Sequence, residues 1–439
     1  MIPSHHFLTR LATHSVYYGA SFCGFLPFRY ATDRFVWSRV RMLWSLCAGI
    51  CSIVLIGYSY YHVITPLSFP SLEILRYLLY WEYTIRISVI VSCYLSVWIN
   101  YAQLRDRGSD ALEILAKLQT YDTSSHIGLN LTICGLLKIA FGDILICCIL
   151  GIISQLNFKN DPVPTFQRLV NIYSLFVVAQ VSNVCVFSLS TATYCYGAIN
   201  RQISRNCSTV VCKELDVLSR LHYKTTDTIQ GVCNIFGVSL ALINFCQFLV
   251  IISRVYYVYV WFVREHRYPP FNSLVYLCFE VIHLLYLASV SHLLNRKGEE
   301  TLIVLNEPLE FDVDIAVERR IHSFSVGLLL RDHSVELCGL YKLDFPMLFS
   351  AFQFFYIVSG STLLTNRAEK TGLLLNRFFK ADIEERVEKT IEMFSIELLH
   401  QTYSIESFGM FKVDFTLMYS MVASITSYLI IMVQFQLTE

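Results

Sequence analysis

Phe415–Phe435 reads FTLMYSMVASITSYLIIMVQF, 21 residues without one formal charge. At 1.5 Å rise per residue, a helix of that length crosses a hydrocarbon core of about 30 Å. Near its end stand Ser427 and Tyr428, then five apolar residues, then Gln434 and Phe435. An amide and aromatic rings at the tip of an otherwise greasy helix suit a channel lining better than a plain lipid anchor.

The rest of the chain extends this membrane reading. It is 55% hydrophobic and only 15% charged, with 14% aromatic residues, whereas a soluble domain carries roughly 25% charged residues. Six more apolar runs have membrane length: Met42–Val63, Tyr77–Ile99, Leu131–Ile153, Leu169–Tyr196, Val232–Val263 and Leu274–Leu294. The expected fold class is therefore all-α: a polytopic membrane protein of seven transmembrane helices. Zero net charge gives no footing for nucleic acid. Most of the 15 cysteines, such as Cys47, Cys147, Cys185 and Cys246, fall inside apolar runs and read as small hydrophobes, so no metal is expected. The chain lacks a P-loop, a GxSxG, an HExxH and a Gly-rich dinucleotide fingerprint, so no cofactor and no enzymatic activity are expected.

Basic residues set the orientation. With the N-terminus cytoplasmic, the inside segments of the six-span body carry 13 Lys or Arg, from Arg10 to Lys224. The outside loops carry 4: Lys159, Arg168, Arg264 and Arg267. The first 20 residues contain no apolar run of signal-peptide length, so the first span acts as its own insertion signal.

Residues 317–350 align with 387–420 at a constant offset of 70, and 14 of the 34 pairs are identical. In each copy apolar residues recur at spacings 0, 4, 7 and 11, as Val317, Ile321, Phe324 and Leu328 and again as Val387, Ile391, Phe394 and Leu398. That is one helical stripe followed by one apolar run. The first copy lacks the polar tip, with Ile357, Val358, Leu364 and Thr365 at the counterparts of Ser427, Tyr428, Gln434 and Phe435, and Pro346 in place of Thr416. The linker 366–413 is rich in Lys and Arg and prefers the cytoplasm. The second copy is therefore expected in the seventh-span place, with the first displaced, re-entrant or peripheral. The expected division is a cytoplasmic N-terminus (1–41), a six-helix ligand-binding bundle (42–294), a cytoplasmic segment with the degenerate copy (295–365), a linker with an amphipathic anchor helix (366–414) and a pore-lining helix (415–435).

Ionisable groups at membrane depth are costly and each needs a partner. Glu82 and Arg86 are spaced i, i+4 and can pair on one helix face. Asp143 lies five residues from Lys138, and Glu280 and His283 share a face at i, i+3. Mutual neutralisation explains each pair, and a functional role is the alternative. The outer halves of the spans also hold Tyr60, Tyr61, Tyr80, Trp81, Gln155, Tyr173, Gln247, Arg254, Tyr256 and Tyr276. With Glu82 and Glu280 they form a candidate ligand pocket of aromatic walls and a few convergent polar groups. An interfacial aromatic belt accounts for some of the same tyrosines.

Ser427-Tyr428, the five apolar residues and Gln434-Phe435 resemble the Thr-Tyr-(five apolar)-Gln-Phe signature in the last helix of insect gustatory receptors, relatives of the insect odorant receptors; Ser427 keeps the hydroxyl of the Thr. Gly409, Phe411 and Asp414 fit the lead-in, and Gly24-Phe25-Leu26-Pro27-Phe28 resembles the family's Gly-x-x-Pro-Phe. The inside N-terminus is also the family's arrangement and the reverse of a G-protein-coupled receptor. The resemblance implies a tastant-gated, non-selective cation channel of the plasma membrane in taste neurons. It would be a homo- or hetero-tetramer with other gustatory receptors, embedded in membrane lipid, with Ser427, Tyr428, Gln434 and Phe435 around the pore and gate. Bitter or aversive compounds are the implied small-molecule tastants, with sugars or other tastants the alternative. The rival classes are a transporter, with Glu82, Arg86, Asp143 and Glu280 as a relay, and a metabotropic receptor.

Overall fold

A computed structural model of the chain describes residues 5–31, 34–64, 73–121, 135, 137–156, 165–205, 212–259, 271–306, 315–331, 334–337 and 341–347. Beyond these it describes short stretches between 353 and 424, and in places the backbone alone. The polar tip 427–435 lies outside the described residues. The chain divides into two units, residues 1–345 and 346–439.

The first unit opens with α1 (His5–Phe22) and a hairpin of β1 (Phe28–Ala31) and β2 (Arg34–Trp37), paired antiparallel from Phe28↔Trp37 to Ala31↔Arg34. Neither shows as an apolar run. They hold through local hydrogen bonds: Tyr17 Oη donates to Phe28 O at 2.8 Å and accepts from Tyr30 N at 3.1 Å. Gly24 turns the chain between them with φ of 85° and a Cα so close to the next helix that a Cβ would lie 3.0 Å from Ser45 Cα. Only glycine combines that backbone with that approach. This gives the Gly-x-x-Pro-Phe turn a physical meaning, since Tyr94 Oη also bonds the adjacent Cys23 O at 2.7 Å and Phe25 stacks on the Tyr94 ring.

Next come α2 (Arg39–Ile64), α3 (Glu73–Ile99) and α4 (Tyr101–Tyr121). The chain bends by 78° between α3 and α4, where the sequence passes from apolar to RDRGSD. A π-helical segment (Lys138–Leu145) runs into α5 (Ile146–Leu156). Three long helices follow: α6 (Thr165–Arg205, 41 residues), α7 (Cys212–Tyr259, 48 residues) and α8 (Phe271–Asn306, 36 residues). Among the described residues four helices are long and apolar enough to cross a membrane, five if the bent α3–α4 pair counts as one. At 1.5 Å per residue the three long ones run roughly 60, 70 and 55 Å, about twice the hydrocarbon thickness.

The surplus length needs its own core. Ile114 and Leu118 of α4, Ile199 and Ile203 of α6, Leu215, Leu218 and Leu221 of α7 and Leu305 of α8 form it, outside the apolar runs. Polar bonds pin α4 to α7: Lys224 Nζ lies 2.9 Å from Asp110 Oδ1 and 3.1 Å from Glu113 Oε2, and Lys117 reaches Glu113 Oε1 at 2.8 Å. The hydrogen bonds from Lys117 and Lys224 hold the Glu113 carboxyl down at about 2. A depressed carboxyl contributes stability above its unfolded pKa and loses it as pH falls through the folded one. The half-exposed pair makes that contribution small.

The same core receives α9 (Ile315–Leu329), the helix of the first repeat copy. Its buried face is the stripe read from the sequence: Val317, Ile321, Phe324 and Leu328. Behind it β3 (Glu336–Leu337) pairs with β4 (Tyr341–Lys342). The second unit repeats that hairpin in β5 (Glu406–Ser407) and β6 (Phe411–Lys412). Both registers, Glu336↔Lys342 and Glu406↔Lys412, keep the offset of 70, as does the closing bond of Leu343 N to Val335 O and Val413 N to Ile405 O. The duplication is one of structure as well as sequence.

The helix and hairpin of the first copy are docked on the six-helix body. Three contacts off the stripe hold it there. Arg320 Nη1 lies 3.2 Å from Asp216 Oδ1. Arg331 Nη1 lies 2.9 Å from Asp227 Oδ1, with its guanidinium 4.5 Å from the Tyr223 ring centre. Gly327 admits Tyr223: a Cβ there would fall on the Tyr223 hydroxyl. The second copy has Thr390, Glu397 and Gln401 at these positions. Its Phe394 is 45% exposed, against 3% for Phe324. Gly327→Glu should therefore undock α9, lowering thermal stability of the detergent-solubilised chain by about 1–3 kcal/mol, the usual range for overpacking. Glu397→Gly should leave the melting curve unchanged.

Candidate functional site

Helices α3, α6, α7 and α8 meet around a small cavity lined by Arg86, Ser174, Gln247, Glu280 and His283 between apolar walls that include Val89, Ile243 and Phe279. Each polar group comes from a mostly apolar helix, and the walls follow from ordinary helical periodicity. Arg86 and Val89 are one turn apart on α3, Ile243 and Gln247 one turn apart on α7, and Glu280 and His283 one turn apart on α8. Arg86 Nη1 donates to Ser174 Oγ at 3.2 Å, and that hydroxyl donates onward to Asn171 O at 2.7 Å. The Oε1 of Gln247, a residue 5% exposed, has no hydrogen-bond partner among the described residues. A buried acceptor left unpaired costs about 1–3 kcal/mol, so it is either a strain or a socket. The volume is about 20 Å³, room for roughly one water. A larger guest needs the walls to part.

Beside the cavity lies a buried charge cluster. Lys138 Nζ is 3.1 Å from Asp143 Oδ1 and donates to Asp143 Oδ2 at 3.2 Å. On an α-helix five residues is about 1.4 turns, which turns the two side chains well away from each other. The π-helical segment brings residues i and i+5 into line instead, and Lys138–Asp143 has that spacing. Asn183 of α6 donates Nδ2 to Asp143 Oδ2 at 2.7 Å and accepts from Lys138. His283 Nε2 of α8 approaches Asp143 Oδ1 to 2.7 Å, without hydrogen-bond alignment. One carboxylate thus ties three helical segments together, and His283 joins this cluster to the cavity wall.

Of the residues expected to form a pocket, Gln247 and Glu280 come together in the cavity wall. Arg254 and Tyr276 lie further along the same two helices, the guanidinium 5.2 Å from the ring centre. Tyr173 does not line the cavity; its hydroxyl is 2.8 Å from Ser52 Oγ. Tyr61 points outward, 65% exposed. Gln155 is in α5 and Trp81 and Glu82 are in α3, but their side chains lie outside the described residues, as do those of Tyr60, Tyr80 and Tyr256. The Glu82–Arg86 pairing falls there too, and Ser427, Tyr428, Gln434 and Phe435 lie wholly outside. Ser174 was missed because a lone serine in an apolar run carries no pattern.

Asp143→Leu should be the most damaging single change in this region. It leaves Lys138 charged and uncompensated at depth, at about 3–5 kcal/mol. Adding Lys138→Met should recover a large part of that loss. Thermal melting in detergent, with cell-surface yield as a second readout, checks both.

The arrangement has known counterparts. The 7tm chemosensory receptor model matches residues 13–354 and again 351–439, so the second match falls on the second repeat copy. Two curated Drosophila melanogaster proteins share short stretches with the chain. One is putative gustatory receptor 28b, 32% identical over 79 residues (18% of this chain, 17% of the relative). The other is putative gustatory receptor 2a, 47% identical over 49 residues (11% of each). The matched stretches thus span less than a fifth of either relative's length. Among solved structures, the olfactory receptor OR5 of Machilis hrabei superposes with a TM-score of 0.56 at 12% identity, over 78% of this chain and 95% of that one. Its complex with eugenol gives a TM-score of 0.51 at 13% identity, over 80% and 96%. The structural likeness carries the all-α fold and the family model carries the kinship: the chain belongs to the 7tm chemosensory receptor family.

Proposed function

We propose that the chain is a gustatory receptor: a plasma-membrane subunit of a tastant-gated, non-selective cation channel, with its N-terminus in the cytoplasm. The observation that carries the ligand half of this reading is the unpaired Gln247 Oε1 in a cavity whose other polar groups are Arg86, Ser174, Glu280 and His283. It is an acceptor awaiting a hydroxyl or N–H from a small, largely apolar molecule. The eugenol complex of the Machilis receptor, a fold relative, supports a small-molecule guest. Bitter or aversive compounds fit this description, a mostly apolar body with one or two donors, better than a polyhydroxylated sugar does.

Gating follows from differential affinity. A guest that fits only when α3, α6, α7 and α8 move apart binds the open arrangement more tightly and draws the population there. The Arg254–Tyr276 stack stands on α7 and α8, the helices that supply Gln247 and Glu280, and has to yield for entry. The channel half rests on the resemblance of the last helix to the family signature. Gln434 and Phe435 form the gate, with Ser427 and Tyr428 packing behind it, in a homo- or hetero-tetramer with other gustatory receptors.

Gln247→Leu separates a socket from a strain. It removes the unpaired acceptor, so thermal stability should hold or rise by about 1 kcal/mol. The concentration of tastant giving half-maximal current should rise about tenfold. Whole-cell recording in cells without endogenous G-protein coupling, over a panel of bitter phenols and alkaloids, is the measurement. A response that needs G-protein signalling, or one untouched by Gln247→Leu, rejects the channel or the site respectively. Cysteines at 434 and 435 that leave conductance indifferent to thiol reagents reject the gate.

A further inference from the structure

A second cavity, of about 130 Å³, lies further along α6 and α7 from the first, where α1, the β1–β2 hairpin, α4, α6 and α7 meet. Val16, Phe28, Phe35, Leu112, Leu115 and Val184 supply apolar wall. Five hydroxyl residues also line it, but Tyr17 donates to Phe28 O, and Ser188, Thr191, Thr225 and Thr228 each donate to a carbonyl one turn back on their own helix. None of the five donors is left over for a guest. A dry apolar cavity of about 150 Å³ holds one benzene. This one therefore takes a body of roughly six carbons.

One lining group is charged. Arg107 of α4 has no hydrogen bond or ion pair among the described residues. The acids nearest it in sequence are engaged elsewhere, Asp106 by Arg105 and both Asp110 and Glu113 by Lys224. Its stem lies across Gly231 of α7, where a Cβ would come within 2.7 Å of Nε. Phe35 lies equally close over Gly108 of α4, 2.8 Å from a Cβ there. Two glycines thus make room for the two side chains that flank the cavity, a ring on one side and an unpaired guanidinium on the other. A guanidinium is a fork for a carboxylate and stays charged at every physiological pH.

We propose that this cavity binds a small apolar carboxylic acid, its body of about six carbons among the phenylalanines and leucines and its carboxylate on Arg107. The guest joins the N-terminal helix and hairpin to α4, α6 and α7. It therefore acts on the same end of the bundle as the α9 groove, away from the tastant cavity.

The full-length chain, purified in a neutral detergent, is titrated with hexanoate and with hexanol, and binding is read by saturation-transfer NMR and by the shift in melting temperature. Hexanoate should bind more tightly than hexanol. Arg107→Gln should weaken hexanoate about tenfold and leave hexanol unchanged. Ala192→Phe, which fills the cavity from α6, should abolish both, and Ala111→Leu does the same from α4 should the larger ring impair folding. Hexanoate binding that survives Arg107→Gln and both filling variants overturns the site. So does protection by anionic phospholipid in nanodiscs with none by hexanoate, which points to a lipid surface instead. No binding of either probe also overturns it.

Discussion

A hydrocarbon slab about 30 Å thick, crossed by helices up to twice that length, is the constraint from which the rest of this architecture follows. Inside the slab every backbone polar group must find its partner within the helix, and the described segments of the apolar runs are helical. Outside it, the surplus of α6, α7 and α8 is still apolar on one face and faces water. The chain meets this by folding α4 back at 78° and laying α9 across the projecting ends, so that Ile114, Ile199, Leu218 and Phe324 share one core. The molecule has two regimes of packing in one bundle: buried charges tied to polar partners at membrane depth, as at Lys138 and Asp143, and an ordinary hydrophobic core beyond it.

Charges at depth show how strict the first regime is. Asp143 has Lys138, Asn183 and His283 around it, from three helical segments. No α-helical register brings positions 138 and 143 together, and the π-helical turn is the local departure that does. Backbone irregularity and buried ion pair therefore explain each other. Because His283 also lines the small cavity, a movement of α8 there disturbs this cluster as well.

How much of this is legible in the residues depends on the length scale of the signal. Apolar runs mark α2, α3, α6, α7 and α8 to within a few residues at their membrane faces, and the 0, 4, 7, 11 stripe names the buried side of α9 without error. The N-terminal hairpin leaves no such trace. Its strands are four residues each, held by one tyrosine hydroxyl and a positive-φ glycine rather than by alternation. The ends of the long helices are obscured because their polar residues look like loop sequence until they meet α4. At the site, Gln247 and Glu280 stand out as polar residues in apolar runs. Tyr173 stands out for the same reason and is nonetheless spoken for by Ser52, a contact 121 residues away that no local pattern foreshadows.

The repeat shows where periodicity stops deciding. Both copies carry the same stripe, so burial area alone cannot choose between them for one groove. The choice falls to three positions off the stripe, where α7 presents Asp216, Tyr223 and Asp227: the first copy answers with Arg320, Gly327 and Arg331, the second with Thr390, Glu397 and Gln401. A glutamate at the glycine position meets the Tyr223 ring and hydroxyl, so the cost there is steric. The last-helix signature, in contrast, is kept in the second copy and lost from the first. Groove recognition and signature, one unit's business in a chain with a single closing segment, sit here on different copies. Substitutions in one copy therefore reach only half of what a closing unit does.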